Sequence, residues 1–288
     1  MRKDGPMRLL VTGGAGMLGQ AVAAAATRLG HDVFALSRAE LDITDADHVR
    51  RVTAAAEPRA VINCAAWTDV DGAETAEAAA TAVNGDGAGN VARAAAEVGA
   101  RIVHVSTDYV FNGEKDEPWV ESDPVDPQSV YGLTKLRGEE QVADATPRHA
   151  IVRTAWVFGP HGGNFVATML RLARERDEVT VVDDQIGCPT FTGHLADALL
   201  TISERRIQGV QHVAGGGACS WFDLALATFE ATGTRVRVTP VTTEAFPRPA
   251  ARPAWSVLGT ERPDAVRLPD WRDGLRAHLA TTATEVPA

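Results

Sequence analysis

The sequence predicts an α/β fold, a doubly wound parallel sheet joined to a smaller, discontinuous C-terminal domain. Three observations carry that prediction. Short apolar runs alternate with helix-like stretches through the first half of the chain, the pattern of a parallel sheet covered on both faces. A glycine-rich turn joins the first apolar run to the first helix-like stretch. After Gly159 the alternation breaks down, as an inserted second unit would make it do.

In chain order, the predicted strands of the sheet are residues 8–12, 32–36, 60–63, 101–106 and 150–154, with helices at 20–29, 45–56 and 81–98 among the connections. A helix at 164–176 and a short strand at 179–182 read as an insertion, and 192–203 and 210–214 return a helix and a strand to the sheet. A helix at 221–232, a strand at 235–241, a proline-rich stretch at 246–253 and a helix at 271–280 complete the second unit. The expected domains are thus 1–155 with 192–215, and 156–191 with 216–288, with a ligand cleft between them.

The first turn, Thr12-Gly13-Gly14-Ala15-Gly16-Met17-Leu18-Gly19, has the strand–turn–helix context that a dinucleotide fingerprint requires. Gly13 permits the tight turn, Gly16 lets the backbone approach a pyrophosphate, and Gly19 lets the helix pack on its strand. The N–H groups around Met17 and Leu18 then face the phosphates. This makes the sheet Rossmann-type. The second strand ends Ser37-Arg38 and not in a carboxylate, which suits the 2′-phosphate of NADPH; Glu40 nearby keeps NADH open.

Further along, Tyr131 and Lys135 stand four residues apart and share one helix face. A free phenol ionises near pH 10, and a neighbouring ammonium is expected to lower it into working range. Thr107, at the end of a strand, offers a hydroxyl for a substrate oxygen. Together they are parts for moving a proton on and off a carbonyl oxygen.

The chain resembles the extended short-chain dehydrogenase/reductases, and within them the dTDP-4-dehydrorhamnose reductases. The matching segments run in the family's order: Asn63-Cys64-Ala65-Ala66-Trp67-Thr68-Asp69-Val70-Asp71; Ser106-Thr107-Asp108-Tyr109-Val110-Phe111-Asn112-Gly113; Tyr131-Gly132-Leu133-Thr134-Lys135; Arg153-Thr154-Ala155-Trp156-Val157-Phe158-Gly159; Asp183-Asp184-Gln185-Ile186-Gly187-Cys188-Pro189-Thr190; and Arg252-Pro253-Ala254-Trp255-Ser256. The resemblance implies a cytoplasmic enzyme that reduces a dTDP-4-keto-6-deoxy sugar at C4. It assigns Asp42, Ile43, Ala65, Ala66 and Asn84 to the cofactor, and the nicotinamide ribose to Lys135. Thr68, Val70, Asp108, Tyr109, Trp156 and Arg252 fall to the sugar. Trp67 and Trp255 depart from the family's usual residues near the substrate, which leaves the choice of sugar open. Some relatives bridge subunits through a divalent metal; Ala21 and His194 stand at those positions here, so no metal is expected and a homodimer stays open.

Two other readings follow from the same resemblance. A dehydratase would carry Asp-Glu after the threonine where this chain has Asp108-Tyr109, which leaves an epimerase as the enzyme alternative. A non-catalytic regulatory subunit on the same fold is opposed by the presence of Thr107, Tyr131 and Lys135 together.

Composition agrees. A net charge of −10 argues against nucleic-acid and anionic-membrane partners. Lys135, Arg171, Arg174, Arg248 and Arg252 are candidate contacts for a nucleotide diphosphate. Cys64, Cys188 and Cys219 show no metal or disulfide spacing, which suits a reducing compartment. No apolar run is long enough to span a membrane, and residues 1–6 read as a short disordered lead, with Met7 an alternative start.

Overall fold

The computed structural model describes residues 5–284; the lead expected at the N-terminus lies, through Asp4, outside the described residues. In chain order the first elements are β1 (Arg8–Thr12), α1 (Met17–Arg28), β2 (Asp32–Leu36), α2 (Ala46–Ala56), β3 (Ala60–Asn63), α3 (Val70–Ala73), α4 (Glu77–Thr81), α5 (Ala88–Glu97), β4 (Arg101–Thr107), α6 (Val130–Ala145) and β5 (His149–Thr154). They continue with β6 (Val157–Phe158), α7 (Phe165–Glu175), β7 (Glu178–Val182), β8 (Ile186–Gly187), β9 (Thr190–Phe191), α8 (Thr192–Arg205), β10 (Gly209–His212), β11 (Cys219–Ser220), α9 (Trp221–Thr232), β12 (Arg237–Val241) and α10 (Trp271–Thr284).

Six strands form one parallel sheet in the order β10-β5-β4-β3-β1-β2. Leu9, Val11, Val103 and Val152 face α1 and α8 on one side, while Leu10, Val61, Ile102 and Ile151 face α2, α5 and α6 on the other. Alternate strand residues therefore serve opposite cores, which is why these strands read as continuous apolar runs. The chain leaves β1 first toward β2 and then returns to its other side as β3. That reversal opens a crevice at the carboxyl ends of β1 and β3.

Beyond β5, the parallel pair β7–β12 packs with α7 and α9 around Met169, Val179, Val181, Ala225 and Phe229. A second cluster around Phe158, Leu224, Trp271 and Leu275 joins this region to α10. Helix starts follow their caps: Asp45 accepts from the His48 amide at α2, and Ser129 from the Gly132 amide at α6.

The helix predicted at 81–98 is broken. A π-helical turn, Ala82–Gly87, separates α4 from α5. Such a turn carries an extra residue and re-aims the side chain it contains; here that side chain is Asn84, which is buried. The backbone of α6 closes on this turn, because a Cβ at Gly138 would collide with the Asn84 carbonyl oxygen.

One buried ion pair fastens α6 to the sheet. Arg153 of β5 grips Glu139 of α6 through Nη2–Oε2 at 2.7 Å and Nε–Oε1 at 3.0 Å, and Ser106 of β4 donates to Oε1 at 2.5 Å. The side chains of Arg153 and Glu139 are only 6% and 5% exposed. Replacing one member leaves the other charge buried without compensation, which costs about 3–5 kcal/mol. Glu139→Gln should therefore lose that much stability, read as a lower urea midpoint at unchanged slope; a midpoint within about 0.5 kcal/mol of the parent's would remove the pair from this role.

Candidate active site

A cleft of about 850 Å³ lies at the carboxyl ends of β1, β3, β4 and β5 and reaches the start of α9. Its floor at one end is the glycine turn. Gly13 takes a positive φ of 68°, and a Cβ there would stand 2.7 Å from the Ala65 amide nitrogen. A Cβ at Gly19 would collide with the Gly13 carbonyl. Gly16 caps α1 without any side-chain acceptor, so the first-turn N–H groups stay available to an anion. These are the features of a pyrophosphate cradle, and a dinucleotide fits them.

Where β2 ends, Arg38 lines the cleft with its side chain 80% exposed and 3.6 Å from Asp42. Glu40 is turned back onto Ser37, accepting from its amide at 2.8 Å and its hydroxyl at 2.6 Å. These bonds hold the Glu40 carboxyl below its ordinary range. The acidic residue that blurs the sequence reading is thus engaged locally, while Arg38 stands at the cleft edge with its side chain largely exposed.

The opposite wall carries Thr107, Asp108, Tyr109, Tyr131 and Lys135. Thr107 ends β4; its hydroxyl donates to Asp108 Oδ1 at 3.0 Å and accepts from the Tyr109 amide at 3.2 Å. Tyr131, in the first turn of α6, meets the Tyr109 ring edge-on at 5.5 Å between centroids. Burial pushes the Tyr131 phenol up to about 12, with the Thr107 hydroxyl pulling it down and the Asp108 carboxylate pushing it up. Tyr109 is raised as well, chiefly by burial.

Lys135 does not lower the phenol as its position on the helix suggests. Its Nζ donates to the Val105 carbonyl at 2.7 Å and stands 3.4 Å from His104 Nε2, so its contacts are with β4. Burial brings Lys135 down to about 8, opposed chiefly by the Glu139 charge.

Most of the predicted site residues line this cleft: Gly13, Gly16, Met17, Leu18, Gly19, Arg38, Asp42, Ile43, Ala65, Ala66, Thr68, Val70 and Trp156 join those of the catalytic wall. Three lie outside the lining. Ser37 spends its hydroxyl on Glu40. Asn84 sits behind the wall, where it accepts from the Trp67 amide at 2.8 Å and donates to the Trp67 carbonyl and the Thr134 hydroxyl, each at 3.1 Å. It supports the wall through Trp67 and Thr134. Arg252 is committed to Asp71 at 2.6 Å and to the Ala250 carbonyl, with Arg248 3.8 Å from the same carboxylate. Arg171 pairs with Glu175. Of the two unusual tryptophans, Trp67 lines the cleft and Trp255 packs against Phe111, Trp119 and Leu258.

Trp221 also lines the cleft and no local pattern announces it. Its indole stacks on Trp156 at 3.5 Å between centroids and 6° between planes, and donates to Gln185 at 3.1 Å. Trp156 has a positive φ of 49°, a costly conformation for a bulky residue. Its ring also lies against Gly187, where a Cβ would collide with it.

Among the described residues no helix is long and apolar enough to cross a membrane. The family model for the RmlD substrate binding domain matches residues 7–284. The dTDP-4-dehydrorhamnose reductase of Mycolicibacterium smegmatis is 46% identical over 280 residues, covering 95% of this chain and 85% of that protein. The dTDP-4-keto-6-deoxy-D-glucose reductase of Streptomyces niveus is 44% identical over 254 residues, covering 88% of each. Among solved structures, dTDP-4-dehydrorhamnose reductase from Bacillus anthracis in complex with NADP superposes with a TM-score of 0.94 at 37% identity, covering 96% of this chain and 100% of that one.

Asp108 yields a prediction of its own. It is 2% exposed, and burial raises its carboxyl to about 6 against hydrogen bonding from Ser256 and Thr107. An unfolded Asp ionises near 3.9, so the folded state holds this proton more tightly and stability falls as pH rises from about 4 to about 6. The penalty above pH 6 is at most about 3 kcal/mol. Asp108→Asn should melt higher than the parent at pH 7.5, with the gain vanishing near pH 4. Equal melting temperatures at both pH values would show the carboxylate to be unstrained.

Proposed function

The chain belongs to the dTDP-4-dehydrorhamnose reductase family, and we infer that it reduces the C4 ketone of dTDP-4-dehydro-L-rhamnose to dTDP-L-rhamnose with NADPH. The observation that carries this reading is the placement of Thr107, Tyr131 and Lys135 on one wall of a cleft whose far end is a glycine-built anion cradle. Gly13, Gly16 and Gly19, with the Met17 and Leu18 amides, would hold the pyrophosphate. Ala65, Ala66, Asp42 and Ile43 would flank the nucleotide, and Arg38 would meet the 2′-phosphate. Bound there, the dinucleotide supplies the hydride that C4 receives.

The residues of the chain manage the proton. A phenol raised to about 12 stays protonated at neutral pH, as a donor must. As negative charge builds on O4, Tyr131 gives that oxygen its proton. Thr107 has one hydroxyl hydrogen, directed at Asp108; rotation about its C–O bond turns it onto O4. Lys135, one helical turn on, contributes its positive charge to the same wall from its seat on the Val105 carbonyl. Asp108, Tyr109, Trp156, Thr68 and Val70 form the surface on which the sugar is oriented.

The same proposal divides the chain into a dinucleotide half, 1–155 with 192–215, and a nucleotide-sugar half, 156–191 with 216–288. It places the enzyme in the cytoplasm, with nucleic acid and membrane outside its set of partners and a homodimer compatible with it. Trp67 in the cleft wall favours a second reading, a related dTDP-4-keto-deoxysugar as preferred substrate. Aromatic walls discriminate weakly by comparison with hydroxyl-binding sites, which keeps the rhamnose precursor ahead.

With enzymatically made dTDP-4-dehydro-L-rhamnose, NADPH should be consumed and NMR of the product should show the L-rhamnose configuration at C4. Tyr131→Phe should lower turnover by at least about a hundredfold while dinucleotide affinity stays near the parent's. No consumption with that sugar alongside turnover of another 4-keto sugar would select the second reading; near-normal turnover in Tyr131→Phe would remove the phenol from the mechanism.

Cofactor choice tests Arg38 separately. The parent should prefer NADPH, and Arg38→Ala should reduce that preference about ten- to a hundredfold, the weight of a charge-assisted hydrogen bond at an exposed site. Equal use of NADH by the parent would assign Arg38 to the surface.

A further inference from the structure

Behind the catalytic wall runs a buried chain of polar groups that the reaction as described does not use: Thr12 on β1, Asn63 on β3 and His104 on β4, ending at Lys135. Asn63 Oδ1 accepts from the Ala65 amide at 3.2 Å and from the Thr12 hydroxyl at 2.6 Å. A backbone amide is always a donor, so the oxygen of this side chain is fixed in place and its NH₂ faces the other way. There it meets His104 Nδ1 at 3.0 Å. Nδ1 therefore accepts and is bare. His104 is completely buried, and burial, then the Lys135 charge, hold it well below its ordinary pKa, so the ring is neutral. A neutral imidazole with a bare Nδ1 carries its proton on Nε2. Nε2 stands 3.4 Å from Lys135 Nζ, whose strong contact is the Val105 carbonyl.

A ring N–H thus points at a lysine nitrogen. An ammonium has only hydrogens to offer and opposes that N–H; an amine has a lone pair and accepts from it. Resting on the reductase reading above, we infer that His104, in the tautomer imposed by Asn63, is a positioning residue that disfavours the ammonium form of Lys135. Together with burial it sets the alkaline limit of the Tyr131–Lys135 pair.

Burial is the first cause that lowers Lys135, and the other groups facing it add nothing to that lowering. Glu139 on α6 favours the ammonium and is itself bound by Arg153 of β5 and Ser106 of β4. Cys64, beyond β3, is kept a thiol by burial, which raises it to about 12. Tyr131 is kept a phenol in the same way, with Asp108 acting on the phenol.

Two NMR measurements on the full-length protein without substrate test this. Nitrogen-15 shifts of the His104 ring should report the Nε2–H tautomer; an Nδ1–H ring would overturn the inference. The chain has three lysines, Lys3, Lys115 and Lys135, so a ¹³Cε-lysine titration resolves Lys135, assigned by its absence in Lys135→Arg. His104→Gln offers the ammonium a carbonyl oxygen in place of the N–H. The Lys135 midpoint should rise by about one pH unit, and the alkaline limb of kcat/KM should move with it. An unmoved midpoint in the folded variant would overturn the proposal, and if that variant does not fold, the tautomer in the parent decides. Neither NMR readout needs turnover, so a protein that reduced no keto sugar would refute the proposed function and leave this inference to be judged separately.

Discussion

Glu139 and Arg153 meet where α6 packs on the sheet, with Ser106 supplying a third contact and Phe111 lying 5.2 Å from the guanidinium. Four positions of the site are registered by that junction. Lys135 is one helical turn before Glu139 and Tyr131 one turn before that, while Thr107 and Thr154 directly follow Ser106 and Arg153 on paired strands. A buried charge pair stabilises little in net terms, since desolvation offsets most of its attraction. In the observed register of α6 on β4 and β5 both charges are paired. The close backbone approach at Gly138 works in the same direction by letting the helix sit on the Asn84 turn.

Once α6 is seated, burial organises the electrostatics of the cleft. It raises Tyr131 and Asp108 and lowers Lys135, so each group is displaced toward its neutral form. A tyrosine that keeps its proton suits reduction, where the oxygen must receive one. The lysine is placed less as a direct partner of the phenol than as a charge anchored to the β4 carbonyl of Val105. The acid and base properties of the wall thus come from what surrounds it as much as from which residues compose it.

The sugar side of the cleft is built differently, by apolar and aromatic surfaces drawn from distant parts of the chain. Trp156, held in an uncommon backbone conformation after β5, stacks on Trp221 at the start of α9. Gln185 fixes the second indole and Gly187 leaves room for the first. The stack joins the region that follows β5 to the region that follows β11, so it ties the placement of α9 to the shape of the cleft.

Much of this molecule is legible in its sequence, because the strands are short, apolar and bounded by turn residues, and because glycine at 13, 16 and 19 has few explanations other than close backbone approach. Strands β1, β2 and β3 and helix α9 fall at the predicted bounds, and Tyr131 with Lys135 follows from helical periodicity alone. Contacts across the sheet are another matter. That Asn84 supports Trp67 and does not face the cleft depends on a π-helical turn that helix periodicity does not encode. That Arg252 is spent on Asp71, and Glu40 on Ser37, follows from which neighbour folding brings within hydrogen-bond reach. The types of residue at the site, and hence its chemistry, were determined by sequence; their protonation, orientation and partners were decided only by the tertiary structure, because burial and hydrogen bonding to groups far away in the chain set them.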